Sequence, residues 1–268
     1  MRRGTRAFVF VIPMLGALVA MTTFAGAAVG GSSTRAVPRP TRVVKGAGDI
    51  ATKVARYRVL LGADNGGEPV SQPSGYREIS WDSVPEQFAR PNLLPPDFFN
   101  APTAPRARGA VLRTPGTGVA VSAPPTNGSA TALRFGDLNP TYPDRFRTFS
   151  AEQLFSPIGS NVVNLTFFVP GTTQRAAVRG FGAVYTDIDR AENTAFEYFD
   201  ARGRSLGKFA VPPLARGLSF LGVVFRNAVV AKVRIKYGNH ALGPNDSKRY
   251  DVAVMDNFIY GEPQAISP

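Results

Sequence analysis

The sequence contains no cysteine and only one histidine in 268 residues. The absence of cysteine excludes disulfides, a thiolate nucleophile and cysteine-ligated zinc, and a single histidine cannot form a His-rich metal site. A Ser-His-Asp triad would need His240, which lies in a glycine-flanked loop sequence without a G-x-S-x-G motif. Glycine-rich phosphate motifs are absent as well. The composition therefore favours a binding module over an enzyme.

Long apolar runs are also scarce, and the only one lies at the N-terminus. Three arginines precede an apolar stretch at residues 7–21, and Ala25-Gly26-Ala27 supplies an A-x-A cleavage site. This order of segments is typical of a signal peptide, which we predict over residues 1–28. We therefore expect a secreted or periplasmic protein with no transmembrane anchor after cleavage. With about 210 residues beyond residue 58, the exported part is long enough to bury a core without disulfides.

Acidic residues are scarce near the N-terminus, and this explains most of the formal charge of +12. Residues 1–28 carry a net charge of +3 and residues 29–58 a net charge of +6, whereas residues 59–268 contain 21 basic and 18 acidic side chains. Residues 29–56 are rich in Gly, Ser, Pro and Thr and are predicted to form a basic disordered linker. Nucleic-acid binding is not expected, because the predicted folded part is nearly neutral.

Long helical patterns are missing from the rest of the chain, in which glycine and proline separate short apolar stretches; the whole sequence has 27 Gly and 23 Pro. In residues 229–237 apolar side chains alternate with Lys232, Arg234 and Lys236, as expected for a strand with one buried face. The pattern predicts an all-β, jelly-roll-like sandwich over residues 57–263 with a Pro-rich N-terminal extension and a tail at 264–268. Residues 70–110 are expected to form a strand-poor segment packed on the sandwich. Short helices are weakly indicated at Trp81–Phe88 and Ala151–Phe155.

Acidic side chains occur at the ends of two predicted strands. Asp187 and Asp189 are two positions apart on one strand, so their side chains point the same way, and Asp256 and Asn257 lie on the last strand. Oxygen ligands of this kind suit Ca²⁺, and we predict a structural calcium site from these four residues. The alternative is that they form turns or accept backbone hydrogen bonds. The Asp187–Asp189 pair is also compatible with a glycosidase-like acid pair.

The single tryptophan provides a second candidate site. Trp81 is followed by Asp82, and an indole beside a carboxylate can stack on a sugar ring and accept its hydroxyl hydrogens. Tyr76 and Tyr185 are further candidate platforms. The alternative for Trp81 is a core anchor whose N–H finds one partner.

Several motifs together resemble a widespread group of uncharacterised exported bacterial proteins. They are EISWDSVP at 78–85, PPDFFN at 95–100, GFGAVYTDID at 180–189 and VMDNFIYGEP at 254–263. The group often has Asp at the position of Asn257, and this departure would weaken a metal site that used both positions. The resemblance implies no activity. The last strand is also similar to that of jelly-roll carbohydrate-binding modules, in which an acidic residue can hold a structural Ca²⁺.

These observations lead to a principal hypothesis and two alternatives. The principal one is a secreted, non-catalytic module that binds an extracellular or cell-envelope glycan and is stabilised by calcium. The first alternative is a polysaccharide-acting enzyme that uses Asp187 or Asp189 with Glu197. The second is a structural envelope or matrix protein held to anionic polymers by the basic segment at residues 29–58.

Overall fold

The structure is a computed structural model that describes residues 1, 4, 7–11, 36–247 and 249–266. The chain divides into two units, Met1–Ala36 and Val37–Pro268. Most of the predicted signal peptide lies outside the described residues, and so does the predicted linker up to residue 35. A search of the described part finds no helix with the length and apolar character needed to cross a membrane.

The described residues of the second unit form fourteen strands, two α-helices and one 3-10 helix. In chain order these elements are β1 (Pro40–Ala47), α1 (Ala51–Leu61), β2 (Tyr76–Ile79), the 3-10 helix (Glu86–Phe88), β3 (Ala110–Arg113), β4 (Gly118–Val121), α2 (Tyr142–Arg145), β5 (Phe155–Ile158), β6 (Val162–Phe168), β7 (Arg175–Ala177), β8 (Gly180–Ile188), β9 (Ala195–Phe199), β10 (Ser205–Ala210), β11 (Leu214–Phe225), β12 (Lys232–Lys236), β13 (Val254–Gly261) and β14 (Gln264–Ala265).

The strands form two antiparallel sheets, and the expected all-β, sandwich-like fold is confirmed. The first sheet has the order β1-β11-β8-β13-β5-β4, with β2 also paired to β13. The second has the order β10-β9-β12-β6-β7-β14, with β3 also paired to β6. Side chains from both sheets meet in one core, where the ring of Phe181 on β8 lies 5.0 Å from that of Phe196 on β9. The alternation of apolar and polar residues along β6 and β12 matches this arrangement.

The segment between β2 and β3 packs on the sandwich, as expected. It contains only a 3-10 helix, yet its apolar side chains Trp81, Leu94, Phe98 and Phe99 are buried in the main core. The segment therefore covers part of the core with its apolar side chains, although it has no strand of its own.

Residues 40–56 do not form the predicted disordered linker. Residues 40–47 form the edge strand β1, which pairs with β11, and residues 51–61 form α1. The buried side chains of α1 are Val54, Tyr57 and Leu61, whose spacing puts them on one face of a helix. They pack on the outer face of the first sheet, against Phe220 and other apolar residues. The linker was predicted because this region is basic, and basic side chains of α1 lie between its buried positions.

Three glycines of the first sheet accommodate the ring of Tyr57. A Cβ atom at Gly222 would lie 2.5 Å from two ring carbons of Tyr57, one at Gly182 would lie 2.9 Å from the ring, and one at Gly180 would lie 3.0 Å from the hydroxyl. The hydroxyl donates a hydrogen bond of 3.1 Å to the carbonyl of Val223. Because these three glycines have no side chain, α1 can approach the sheet closely.

Two ion pairs join distant parts of the unit. Arg77 and Glu262 are both almost fully buried, and the guanidinium also donates to the carbonyls of Glu68, Val70 and Ala107. Arg58 of α1 reaches β2 through two hydrogen bonds to the Glu78 carboxylate, of 2.8 and 2.6 Å. The first pair orders the loop before β2, and the second holds the helix to the sheet.

Smaller elements also differ from the sequence prediction. Residues 151–154 are not helical, and β5 begins at Phe155. In the predicted helix at 81–88 only Glu86–Phe88 is helical, as a 3-10 turn. Gln264 and Ala265, which were expected in a tail, form β14 and pair with β7.

Candidate functional site

Trp81 is a core residue with no ring face available to a ligand. Its side chain is 0% exposed and stacks on Phe155 at a centroid distance of 4.2 Å. Phe99 and Phe258 contact it edge-on, and its indole N–H donates a hydrogen bond of 2.7 Å to the carbonyl of Asp256. The hypothesis that Trp81 stacks on a sugar is therefore wrong in this structure, and the alternative of a core anchor with one N–H partner describes it.

The other three residues of that predicted site have internal partners or partial burial. Asp82 accepts two backbone hydrogen bonds of 2.9 Å from residues 152–153. Tyr185 is fully buried and donates its hydroxyl hydrogen to the carbonyl of Lys236. Tyr76 is half-buried and packs against the cluster beneath α1. None of these three groups is arranged around Trp81 as a sugar site.

Asp256 organises a loop from inside the sandwich. Its side chain is 0% exposed and accepts hydrogen bonds from the backbone of Phe149 at 2.6 Å and from the hydroxyl of Ser150 at 2.8 Å. Burial raises the pKa of Asp256 to about 6, although these hydrogen bonds oppose the shift. The amide of Asn257 donates to the Glu78 carboxylate. The Asp256 carboxylate is thus engaged by protein donors, whereas the Asn257 Oδ1 is buried and has no hydrogen-bond partner among the described residues.

Asp187 and Asp189 have different surroundings from Asp256. Asp187 is 2% exposed, has a left-handed backbone with φ of 61° and accepts a hydrogen bond of 2.7 Å from the Arg216 N–H. Burial, with a smaller effect from the Asp189 charge, raises the pKa of Asp187 to about 6. Asp189 is exposed, and its backbone N–H donates to the Asp251 carboxylate.

The predicted calcium ligands are therefore not gathered at one point. Among the described residues, no group of three or more His, Cys, Asp or Glu side chains is arranged to hold a metal ion. Calcium binding stays a prediction. It is tested by comparing the melting temperature with Ca²⁺ and with chelator, since an ion bound only by the native state must raise it.

The outer face of the second sheet carries a concentration of basic side chains. Because side chains alternate along a strand, the residues opposite to the core-facing Val163, Phe196 and Ile235 point away from the sandwich. We call this surface the cationic face, and define it by Arg113, Asn164, Glu197, Lys208, Lys232, Arg234 and Lys236.

Five of these residues form one row across five strands. The register pairs Lys208 of β10 with Glu197 of β9, and Glu197 with Arg234 of β12. It then pairs Arg234 with Asn164 of β6, and Asn164 with Arg113 of β3. With strands about 4.8 Å apart, this row is about 19 Å long.

The basic side chains of the face are not neutralised by neighbouring carboxylates. In the described part of the chain, none of its five Lys and Arg side chains forms an ion pair within 4.0 Å, and Glu197 accepts instead from the Ser205 hydroxyl. Lys232 lies 4.2 Å from the centre of the Phe199 ring. The face thus has five basic groups and one acidic group, in a part of the chain that is nearly balanced overall.

A cleft of about 240 Å³ opens on this face. It is lined by Val162, Ala195, Glu197, Lys208, Arg234 and Lys236. A second groove of about 410 Å³ lies at the Arg113 end of the row, and is lined by residues 93–96, 112–114 and 116–119. The second groove adjoins the end of the row, since Arg113 belongs to both.

Sequence reasoning recognised part of this surface without assigning it a role. The alternation in residues 229–237 put Lys232, Arg234 and Lys236 on an exposed face. The partners Lys208, Glu197 and Asn164 are 26, 37 and 70 positions away from Arg234, and only the strand order brings them onto one face with β12. The basic residues of β12 could be recognised from the sequence, but the composition of the whole surface could be identified only from the sheet topology.

Comparison with protein-family models, curated proteins and solved structures finds no match to the chain.

Proposed function

We propose that this protein is an exported, non-catalytic binding module that holds a glycan on the outer face of its second sheet. The observation that carries the proposal is the cleft lined by Glu197, Lys208, Arg234 and Lys236. It combines charged donors with a carboxylate acceptor on a strand surface. Polyhydroxylated ligands are bound by such convergent donors and acceptors.

The rigidity of the support favours binding over a surface role without a ligand. Arg234 and Asn164 project from paired strands whose opposite sides are packed in the core, so their Cα positions are fixed. A site on strands holds its groups more precisely than a site on loops. Export, predicted from residues 1–28, would place this face among extracellular or envelope polysaccharides.

A panel of neutral and acidic polysaccharides tests the proposal with the full mature chain. We expect at least one glycan to bind, and the double variant Glu197→Ala/Asn164→Ala to lose most of that binding. The matched control is Arg42→Ala/Lys45→Ala, two exposed changes on β1 of the other sheet. Equal binding by both double variants, or no binding to any glycan, would contradict the proposal.

The same samples separate binding from hydrolysis. A non-catalytic module releases no reducing sugar during prolonged incubation with its ligand. Release that is lost in Asp187→Asn or Asp189→Asn would instead support the enzymatic alternative and overturn the proposed function.

A further inference from the structure

We infer that the ligand is an acidic glycan with recurring carboxylates, which lies across the strands along the row from Lys208 to Arg113. This inference rests on the proposed function and specifies the class of glycan and its direction on the face.

Cations recur at every second strand of the row. Lys208, Arg234 and Arg113 stand on its first, third and fifth strands, so neighbouring cations are about 10 Å apart at the backbone. The residues between them, Glu197 and Asn164, supply acceptors, and Asn164 also supplies donors. A glycan of disaccharide repeats with one carboxylate per repeat has the same alternation of anionic and hydroxyl-bearing units.

The cations are available for an external anion. Arg234 and Lys208 are exposed, and the described residues offer them no carboxylate within ion-pair distance. An arginine can bind a carboxylate through two parallel hydrogen bonds, and a lysine acts as a point charge. Charge complementarity therefore selects an anionic occupant for this face.

Glu197 and the scarcity of exposed rings favour an acidic glycan over a nucleic acid. A polynucleotide would place a phosphate at every unit and would meet the Glu197 carboxylate in the middle of the row. Single-stranded nucleic acids are held largely by stacking on aromatic side chains. On the row itself no residue is aromatic, and Phe199 beside it lies under Lys232.

The second groove extends the path beyond the last cation. It combines apolar Leu93, Pro95 and Pro96 with Thr114 and Thr117 next to Arg113. Such a mixture fits the less polar face of a sugar unit together with its hydroxyls. The ligand thus crosses the strands and ends in this groove.

The probe is a hyaluronate oligosaccharide, and its methyl ester is the matched ligand without charge. We expect hyaluronate to bind and the ester to bind about tenfold more weakly. Raising the ionic strength from about 0.05 to about 0.5 M should weaken hyaluronate binding strongly, because exposed charges are screened. If hyaluronate and its ester bind equally, the inference is wrong and the proposed function stands; if no glycan binds, the proposed function itself fails.

Two variants locate the effect on the row. Arg234→Glu should weaken hyaluronate binding about tenfold or more, whereas Glu197→Gln, which keeps an acceptor and removes the negative charge, should strengthen it two- to threefold. Arg42→Glu on β1 is the control and should change nothing. Unfolding curves confirm that each variant is folded, and Arg234→Gln replaces Arg234→Glu if the latter is not.

A single-stranded oligonucleotide of equal charge completes the test. It should compete poorly with hyaluronate. Displacement of hyaluronate at equal or lower concentration would overturn the assignment of an acidic glycan and favour a nucleic acid.

Discussion

At the scale of single residues, Trp81 attaches the segment between β2 and β3 to the first sheet through its ring contacts with β5 and β13. Its ring lies between Phe155 and Phe258, and its N–H satisfies a carbonyl of β13. An indole in this position stabilises the fold through packing and one hydrogen bond, and it is not part of the protein surface.

Replacing Trp81 should therefore separate stability from binding. Trp81→Ala should lower the free energy of unfolding by about 3–5 kcal/mol through loss of packing. The milder Trp81→Phe should lower it less and should leave glycan affinity unchanged below its melting temperature. Denaturant unfolding and a binding isotherm on the same sample measure both; a folded Trp81→Phe that has lost glycan binding would return this residue to the site.

The buried carboxyl of Asp256 should make stability depend on pH. Its pKa is about 6 in the native state, above the ordinary value near 3.8, so the native state holds a proton that the unfolded state has released. The contribution of this group to stability is consequently full below pH 4 and is lost as the pH rises through 6. Asp187 has a pKa of about 6 as well and adds in the same direction.

Urea unfolding between pH 4 and 7 measures this dependence. Asp256→Asn should flatten the fall in stability over that window, whereas Asp97→Asn, at an exposed position, should leave the curve parallel to that of the original chain. An unchanged slope in Asp256→Asn would contradict the assignment.

At the scale of secondary-structure elements, α1 depends on the sheet beneath it. The helix has no side-chain cap at its N-terminus and is 11 residues long, a length at which isolated helices are marginal. Its stability must come from burying Val54, Tyr57 and Leu61 on β8 and β11. The three glycines beneath Tyr57 make this contact specific.

Gly222→Ala should disrupt the contact between the helix and the sheet. Its new methyl group would collide with the Tyr57 ring, and we expect a loss of about 1–3 kcal/mol. In a double-mutant cycle, Gly222→Ala should cost clearly less in a Tyr57→Ala background, because the clashing ring is gone. Gly243→Ala, where the nearest atom is 4.0 Å away, is the control and should be nearly neutral. Additive losses in the cycle would show that the two sites do not interact.

Strand prediction succeeded where the periodicity was strong. β12 lies within the stretch predicted at residues 229–237, because its alternation reflects one buried and one exposed face. β1 was missed since five of its eight side chains are exposed, and its sequence carries little alternation. β5 begins at Phe155, the last residue of the segment that was predicted to form a short helix.

At the scale of the whole molecule, the fold class was predictable but the candidate site was not. A sandwich follows from many short strands without long helices. The position of a surface such as the cationic face depends on which strands become neighbours, and single-strand patterns do not contain that information. Trp81 and Asp256 were predicted to be site residues because of their chemistry, but both side chains are fully buried in the structure.

The distribution of charge is also a property of the whole chain. Residues 59–268 are nearly neutral in sum, with 21 basic and 18 acidic side chains, yet one sheet face carries five basic side chains and a single acidic one. Net charge therefore understated the attraction that this face offers to anions.

The absence of cysteine allows the most direct test of the binding face. Three exposed positions can each carry one new thiol: Ala210→Cys beside Lys208 on the cationic face, Ala47→Cys on β1 of the other sheet, and Ser83→Cys next to Asp82. The measurement is the rate of thiol alkylation with and without a saturating amount of the tightest-binding glycan of the panel. The account predicts that the glycan slows alkylation at Ala210→Cys several-fold and leaves the other two rates unchanged. Protection at Ser83→Cys with none at Ala210→Cys would contradict it.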